Sequence, residues 1–417
     1  MPRTDDREPS LTETAPAAID AAGAPPLFFL HIRKTAGVSL RGLLANRFPA
    51  DRVLFQAHSL SGRQQPGDAH FVTGHVGFDY AERFRVRPTI FTVLREPMAR
   101  CTSAYDFFQS HSEAFFRTLA MELSTEEYQA RRRFQDRARQ LGAARFLAEE
   151  ATLARYWLAN VQTRQLAGAT CQHLRDDDPR LLSVAQRHLA DIDLAGILER
   201  QADTLQLLGR MMGWGALGPL QHLNRTPRSG EAVIDPDSLE VLRSWNELDL
   251  QLYDGARRLF EQKLGASASE PVPELAASIP TDGFTPDQPL HGSGWHERER
   301  HEGRWLCWNS GSIATLNLRS ATASPSRFQC RLSHVFNEDA LKQLSISLNS
   351  RRLTLRRRTD KGGFLLESEV PVEAWTADTH RASFAYHCPI MGRPQQLNPS
   401  SPDARQLGFA LERLNLL

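Results

Sequence analysis

The sequence predicts an α/β domain with a central parallel sheet, followed by an all-β sandwich domain. A short apolar segment, Leu27–Leu30, runs into a polar turn and then a helical pattern, which is the strand-loop-helix order of an α/β fold. After Gly265 the composition shifts to Ala, Ser, Pro and acidic residues, and short alternating apolar and polar segments follow. We therefore expect a disordered leader over 1–25, an α/β domain over 26–265, a linker over 266–289 and a β-sandwich over 290–417.

The composition limits the classes of function. The 417 residues hold 50 Lys and Arg against 49 Asp and Glu, and this balance argues against bulk nucleic-acid binding. The five cysteines include no Cys-x-x-Cys pair, which argues against a metal or disulfide framework and favours a reducing compartment. No secretory signal is recognisable, and no apolar run approaches the roughly 20 residues that a membrane-spanning helix needs. We therefore expect a cytoplasmic protein.

The turn after the first strand has the residues of an anion-binding loop. Lys34, Thr35, Gly37 and Ser39 supply a cation, two hydroxyls and a glycine just where a helix begins. N–H groups at a helix N-terminus bind phosphate or sulfate, the glycine lets the backbone approach closely, and the lysine adds a mobile charge. Lys34 precedes the glycine, whereas a Walker A lysine follows its glycines, so an ordinary ATP or GTP loop is disfavoured. The alternative is a plain turn with a solvated lysine.

The next elements continue the α/β pattern. Residues 38–48 carry a helical apolar face, and 52–55 and 70–73 are short strand candidates. The second of these strands runs straight into His75, which follows Gly74. Ligands of open α/β sheets bind outside the carboxyl ends of the strands, so His75 is a candidate site residue.

A second candidate for anion binding follows the strand predicted over 88–94. Arg95 lies at its end, Glu96 and Pro97 open a helix, and Ser103 lies two helical turns further on. An arginine suits a phosphate because its planar guanidinium donates two parallel hydrogen bonds. Taken singly, Arg95 also suits a surface ion pair and Ser103 a packed small residue.

Together these two elements resemble those of sulfotransferases that use 3′-phosphoadenosine 5′-phosphosulfate. Residues 31–39 resemble the 5′-phosphosulfate loop of the carbohydrate branch, with the pattern His-x-x-Lys-Thr-Ala/Gly-x-x-Ser, and Arg95 with Ser103 resembles the 3′-phosphate element. The resemblance implies a P-loop-like sulfotransferase domain with this nucleotide as co-substrate, and a loop at 222–228 that closes over it. The cofactor-binding residues that it implies are Arg33, Lys34, Thr35, Ala36, Gly37, Val38, Ser39, Arg95, Ser103, Arg225 and Thr226.

The catalytic residues are expected to be His75 and Lys34. Sulfuryl transfer needs a base for the acceptor hydroxyl and charge stabilisation at the departing phosphate oxygen. An imidazole is a suitable base near neutral pH, so His75 takes this role, and Lys34 lies against the leaving oxygen. In the heparan and uronosyl 2-O-sulfotransferases that the chain resembles, the motif is often His-Gly-His, whereas here Thr73 replaces the first histidine. No metal is required.

Helical patterns dominate from about 110 to 265. The basic cluster at 131–133 is either a solvated helix face or a contact for an acidic glycan. Residues 156–166 resemble a helix of the same sulfotransferase branch, whose aromatic and polar groups would line an acceptor sugar, and core packing is the alternative for Tyr156 and Trp157. Asp235 is expected to cap a last long helix.

The final region shows repeated short strands, such as 314–318 and 344–348, which predict the sandwich. Residues 294–297, 304–305 and 403–408 resemble a β module of bacterial surface-polysaccharide enzymes. Its tryptophans either form a sugar-stacking platform or pack in the core, namely Trp295, Trp305 and Trp308.

The leading hypothesis is a cytoplasmic carbohydrate O-sulfotransferase that acts on a glycan or glycan precursor, with no nucleic-acid partner and no transmembrane segment. The alternatives are a sulfotransferase with a protein, lipid or small-molecule acceptor, a non-catalytic glycan-binding protein with the same fold, and a P-loop kinase.

Overall fold

A computed structural model describes residues 24–55, 64–110, 116, 125–218, 234–266, 275–399, 401, 403 and 405–417. The predicted leader therefore lies almost entirely outside the described residues. Within them, no helix combines the length and apolar character needed to cross a membrane.

A parallel sheet forms the core of the first region. Its strands lie in the spatial order β2-β3-β1-β4-β5, and every neighbouring pair is parallel. Parallel sheets are covered on both faces, which explains why the central strand is a continuous apolar run with all four residues buried. The strands are β1 (Leu27–Leu30), β2 (Val53–Phe55), β3 (Phe71–Gly74), β4 (Thr89–Leu94) and β5 (Leu194–Ile197).

The first region also contains nine described α-helices, which accompany this sheet. The helix predicted over 38–48 is α1, which begins at the predicted loop. The helices are α1 (Gly37–Ala45), α2 (Pro97–Ser110), α3 (Thr125–Glu149), α4 (Ala151–Leu158), α5 (Val161–Ala167), α6 (Pro179–Asp191), α7 (Gln201–Met211), α8 (Pro236–Trp245) and α9 (Glu247–Ala266).

The helix expected after Asp235 is two helices, α8 and α9. Asp235 caps α8 as predicted, because its carboxylate accepts a hydrogen bond from the Ser238 N–H at 2.8 Å. Asn246 then leaves the helical conformation, with φ −119°. Its buried side chain accepts from the Asn160 N–H and donates to the Leu242 carbonyl. These two hydrogen bonds, rather than a glycine or proline, mark the break.

Two antiparallel sheets pack face to face in the second region. One has the order β13-β14-β10-β16-β8-β7 and the other β12-β11-β15-β9-β6, in which β6 alone pairs in parallel with its neighbour. The ring centroids of Phe328 and Phe384, one from each sheet, lie 5.3 Å apart in the core between them. The elements are β6 (Ala277–Ser278), β7 (Glu299–His301), β8 (Arg304–Trp308), β9 (Ile313–Arg319), β10 (Arg327–Val335), α10 (Glu338–Gln343), β11 (Ser345–Leu348), β12 (Arg351–Arg352), β13 (Arg356–Asp360), β14 (Gly363–Glu369), β15 (Arg381–His387), α11 (Pro394–Leu397) and β16 (Phe409–Leu416).

Part of the segment predicted as a linker belongs to this β-rich region. Residues Ala277–Ser278 form β6, and Phe284 exchanges two backbone hydrogen bonds with Leu414. These backbone hydrogen bonds build the segment into the sandwich, which an Ala- and Pro-rich composition did not indicate. Residues 267–274 lie outside the described part of the chain.

The sandwich is anchored on the end of α1 that lies away from the predicted loop. The buried Arg298 guanidinium donates to the carbonyls of Ala45 and Phe48 from the first region. It also donates to three carbonyls in the segment that precedes it, those of Pro286, Asp287 and Gln288. Burial lowers the pKa of Arg298 to about 10. The charge is accommodated because carbonyl oxygens of a helix C-terminus lack partners and attract cations.

Candidate functional site

Three strand ends converge where the sequence places its candidate residues. β1 pairs with β3 on one side and β4 on the other, with Leu30 opposite Gly74 and Thr92. The chain therefore leaves these strands at His31, His75 and Arg95 along one edge of the sheet. The chain also reverses its direction across the sheet at β1, the position where open α/β sheets bind ligands. We call the space at this edge the cleft.

The loop over 31–36 is shaped by its backbone. Lys34 and Ala36 adopt left-handed conformations, with φ of 70° and 62°, which few residues other than glycine adopt. Loops that alternate in this way turn successive N–H groups toward one point and form anion-binding concavities. Helix α1 follows with Ala36 as its N-cap, and the Ala36 side chain makes no capping hydrogen bond. The backbone is therefore suited to an anion at this turn.

The side chains of the predicted loop residues differ in their surroundings. The Thr35 hydroxyl is buried and donates to the Ile32 carbonyl at 2.9 Å, so its backbone N–H rather than its hydroxyl remains for a ligand. Val38 is 40% exposed, whereas Arg33, Ala36 and Ser39 are partly buried.

The structure shows a steric reason for a glycine at position 37. A Cβ atom at this position would lie 1.7 Å from Nε2 of His31. The glycine therefore makes room for an imidazole of the protein beneath the helix N-terminus, and its own φ is not in the left-handed region. Close approach of the Gly37 backbone to a ligand stays a prediction.

His75 is held in one orientation by the loop. Its Nδ1 lies 2.8 Å from the His31 carbonyl oxygen, and the two imidazole centroids are 4.2 Å apart. A carbonyl only accepts hydrogen bonds, so Nδ1 carries a proton, and in the neutral imidazole the lone pair is on Nε2. Gln165 fixes the same carbonyl, since its Nε2 donates to the oxygens of His31 at 2.8 Å and Val76 at 3.1 Å. This tautomer is the one that a general base at Nε2 requires.

Lys34 turns toward α2. Its ammonium lies 3.8 Å from the ring centroid of Phe107. Burial, and then the positive charge of Arg95, lower the pKa of Lys34 to about 8, while Asp106 acts in the opposite direction. An anion beside this ammonium would relieve the repulsion from Arg95.

Arg95 joins the two predicted anion-binding elements. Its Nη1 donates to the Lys34 carbonyl at 3.2 Å. The backbone of Arg95 is held on both sides by Gln162, whose Oε1 accepts from the Arg95 N–H and whose Nε2 donates to the Arg95 carbonyl. Ser103 is half-buried on α2, three and four residues before Asp106 and Phe107, and so lies on the helix face that meets Lys34.

Further cations surround this cleft. Arg100 is 1% exposed, and its guanidinium donates to the Leu158 carbonyl. The guanidinium of Arg33 lies 4.9 Å from the Trp157 ring centroid, and that of Arg131 lies 5.4 Å from it. Arg131 is buried, whereas the neighbouring Arg133 is exposed and pairs with Glu150 at 2.8 Å. The basic cluster predicted at 131–133 therefore divides between a buried cation and a solvated ion pair.

Sequence reasoning missed the residues that position this site. In the segment 156–166, Gln162 and Gln165 bind backbone groups of Arg95 and of the 31–36 loop, and Trp157 is buried beside Phe108. The close spacing of two glutamines on a short helix was the available signal, because amides can satisfy both N–H and C=O groups of a turn. Arg225 and Thr226 lie outside the described residues. In the part of the chain that is described, no group of three His, Cys, Asp or Glu side chains could hold a metal ion.

The proteins to which this chain is similar are carbohydrate sulfotransferases. It is 26% identical to mouse galactose-3-O-sulfotransferase 3 over 293 residues, which are 65% of this chain and 63% of that protein. It is 34% identical to human heparan-sulfate 6-O-sulfotransferase 1 over 83 residues, or 20% of each chain. The chain thus spans less than two thirds of the length of these relatives. No family model matches it.

These comparisons also correct the expected location. Galactose-3-O- and heparan-sulfate 6-O-sulfotransferases are Golgi membrane enzymes, so the prediction of a cytoplasmic protein is wrong. It had rested on the scattered cysteines and on the lack of a recognisable secretory signal or long apolar run in the sequence. The relatives named here belong to the 3-O and 6-O classes, so the 2-O branch and the bacterial β module stay predictions.

Proposed function

We propose that this protein is a sulfotransferase that moves a sulfuryl group from 3′-phosphoadenosine 5′-phosphosulfate to a hydroxyl of a glycan or glycan precursor. The observation that carries the proposal is the hydrogen bond from the Arg95 guanidinium to the Lys34 carbonyl. It joins the turn after β1 to the end of β4 in the cleft that His75 also borders. The similarity to carbohydrate sulfotransferases supports the same class of reaction.

The cleft residues fit a nucleotide that carries negative charge at both ends. The N-terminus of α1 and the Lys34 ammonium suit the 5′-phosphosulfate. Arg95 and Ser103 suit the 3′-phosphate, because α2 runs past the same cleft from the end of β4. Arg225 and Thr226 are assigned to the closing loop by resemblance alone. In this assignment residues 26–265 form the catalytic domain.

The chemistry assigned to the chain is a proton transfer and a charge stabilisation. The bound nucleotide supplies an activated sulfuryl group. His75 Nε2 accepts the proton of the acceptor hydroxyl as the new S–O bond forms, since Nδ1 is occupied by the His31 carbonyl. The Lys34 ammonium stabilises the negative charge left on the phosphate oxygen when the old S–O bond breaks. Gln165 is a positioning residue that acts through the His31 carbonyl.

A transfer assay tests this assignment. The purified chain is incubated with sulfur-35-labelled donor and separate β-galactoside and heparan-type acceptors, and label in the glycan is measured. We expect His75→Ala to lower transfer by about 10²–10⁴-fold, the usual contribution of a general base. Its affinity for adenosine 3′,5′-bisphosphate should change less than about twofold, since His75 is not assigned to the nucleotide.

The matched control is His173→Ala, which removes an exposed histidine of the same region and should leave transfer unchanged. Full transfer by the His75 variant would contradict the assignment of the base. Label appearing only in protein, lipid or phenol acceptors would contradict the glycan acceptor and support the alternative. Binding of the bisphosphate without transfer to any acceptor would instead indicate a non-catalytic protein.

A further inference from the structure

A cavity in the β-sandwich is lined by none of the cleft residues. It holds about 450 Å³ of space, within the range of small-ligand pockets. Its walls come from three separate parts of the chain, which are strands β7 and β8, the end of β10 with the residue after it, and seven of the described residues from Pro394 to Leu407. We call it the sandwich cavity.

One wall of the sandwich cavity is made of flat rings. The Trp308 indole is fixed because its Nε1 donates to Oε1 of Glu299 at 2.9 Å. The His334 imidazole lies 6.0 Å from the Trp308 ring, and His301 lies 5.5 Å from His334, measured between centroids. Burial, with the nearby His301, lowers the pKa of His334, which keeps this imidazole neutral near pH 7. The wall offers an apolar face with polar edges.

The polar groups of the sandwich cavity carry more negative than positive charge. The Arg405 guanidinium pairs with Asp403, with Nη2 to Oδ2 at 2.7 Å, and its Nη2 also reaches Glu299 at 3.2 Å. Two carboxylates thus share one guanidinium while His334 is neutral. Such a site repels anions, whereas its carboxylate oxygens accept hydrogen bonds from hydroxyl groups.

The exposed rim adds an apolar side chain. Leu397 is 65% exposed at the edge of the cavity, although a leucine is usually buried. Asn398 and Ser401 lie beside it and add amide and hydroxyl groups. A ligand with one apolar face and a ring of hydroxyls matches this combination.

We propose that the sandwich cavity binds a neutral pyranose unit of a glycan. Trp308 stacks on the apolar face of the sugar ring, and Glu299 and Asp403 accept hydrogen bonds from its hydroxyls. The sandwich would then hold a glycan chain while the cleft modifies it, but binding at this cavity requires no transferase activity and is measured separately.

Ligand-observed NMR on the intact chain tests the proposal, with lactose, cellobiose and maltose as neutral probes and 6′-sulfolactose as the anionic counterpart of lactose. We expect saturation transfer to at least one neutral disaccharide and weaker binding of the sulfated form. Trp308→Ala should weaken the binding about tenfold, the factor that corresponds to the loss of one aromatic stacking contact.

Trp305→Ala is the matched control, because Trp305 lies on the same strand and side chains three residues apart point to opposite faces. It should bind as the wild type does. Leu397→Ala is a second variant at an exposed position, where folding is not at risk, and should weaken binding about threefold. Adenosine 3′,5′-bisphosphate affinity should be unchanged in all three variants.

Several results would overturn the proposal. These are the absence of binding by every neutral probe, tighter binding of 6′-sulfolactose than of lactose, and equal binding by the wild type and the Trp308 and Leu397 variants. Because each is read from sugar binding, it leaves the proposed transferase activity intact. Conversely, an absence of transfer in the assay described above would not contradict sugar binding at the sandwich cavity.

Discussion

The cleft and the sandwich cavity are assembled in opposite ways. The cleft takes Lys34, His75 and Arg95 from positions within a few residues of three parallel strand ends. The sandwich cavity takes Trp308 and His334 from strands β8 and β10 of one antiparallel sheet, in which β16 lies between them, and Arg405 from the segment that precedes β16. A site at the ends of parallel strands is therefore visible in local sequence, whereas a site that depends on the pairing of strands distant in sequence is visible only in the folded chain.

The two sites also differ in charge. In the cleft, burial and the positive charges of Arg95 and Arg100 lower the pKa of Lys34, and Asp106 acts in the opposite direction. In the sandwich cavity two carboxylates surround one guanidinium. Because charges in partly buried sites are weakly screened, we expect the first site to favour anions and the second to disfavour them. This difference in charge is the basis for proposing a charged donor at the cleft and a neutral sugar at the sandwich cavity.

The largest expected effect concerns how the two regions are joined. Replacing the buried guanidinium in Arg298→Met leaves five carbonyl groups without their donor. We expect the free energy of unfolding to fall by about 4 kcal/mol, since each buried group left unsatisfied costs about 1–3 kcal/mol and some are rehydrated. Urea unfolding followed by tryptophan fluorescence measures this.

Arg300→Met serves as the control, because Arg300 is exposed on β7 close to Arg298 and donates to the Gly303 carbonyl. An unchanged midpoint in the Arg298 variant would show that the two regions are independent in stability. The α/β region and the sandwich would then unfold as two independent units.

The next effect sharpens the assignment of the anion. Arg95→Lys keeps the charge but removes the planar guanidinium that contacts the Lys34 carbonyl. We expect affinity for adenosine 3′,5′-bisphosphate to fall about 100-fold, or roughly 2.7 kcal/mol by isothermal titration calorimetry. Sugar binding at the sandwich cavity should not change.

The control for this variant is Arg87→Lys. Arg87 precedes the same strand at its opposite end, where it pairs with Asp193. If both variants weakened nucleotide binding equally, the position of Arg95 at the carboxyl end of β4 would be irrelevant. The assignment of the nucleotide to the cleft would then be contradicted.

A smaller effect tests the packing beneath the loop. Gly37→Ala forces a Cβ into the His31 imidazole and should lower the free energy of unfolding by about 2 kcal/mol. Gly42→Ala, on the same helix, meets its nearest atom at 3.4 Å, an ordinary contact, and should be neutral or slightly stabilising. Thermal unfolding of both variants separates the steric clash at Gly37 from the effect that any replacement of glycine by alanine has in this helix. Equal stability of the two would indicate that His31 moves aside without cost.

The smallest effect is the pH dependence of stability and of nucleotide affinity that Lys34 causes. The Lys34 ammonium loses its proton above about pH 8 in the folded protein but only near 10.5 when unfolded, so Lys34 makes the free energy of unfolding rise between these values. A bound anion favours the charged form, so nucleotide affinity should fall by up to about tenfold per pH unit above pH 8. Calorimetry across this range measures the slope, and Lys34→Arg should flatten it because arginine stays protonated. The same slope in both proteins would show that another group titrates.

The features that could be predicted from the sequence are those that depend on residues close together in the chain. Leu27–Leu30 predicted a buried strand, and the polar turn after it lies at the edge of the sheet as expected. Gln165, which donates to the His31 carbonyl in this turn, lies 134 residues further along the chain. No local pattern shows such a contact. For the same reason the steric role of Gly37 and the break at Asn246 appeared only in the folded structure.

The tryptophans of the sandwich show the same limit. Trp295 packs against Tyr386 and Phe409 and donates to the Thr315 carbonyl, so it belongs to the core. Trp308, thirteen residues later, lines the sandwich cavity. Composition and spacing did not distinguish these two tryptophans, because the distinction depends on which strand lies opposite each one.

The most direct test of whether the cleft binds this nucleotide is a calorimetric titration of the intact chain with adenosine 3′,5′-bisphosphate and with adenosine 5′-phosphate. If the turn after β1 and the residues after β4 bind one nucleotide, the bisphosphate binds at least about tenfold more tightly, and Arg95→Lys abolishes the difference. Equal affinity for the two nucleotides, or an undiminished preference in the Arg95 variant, would contradict this account.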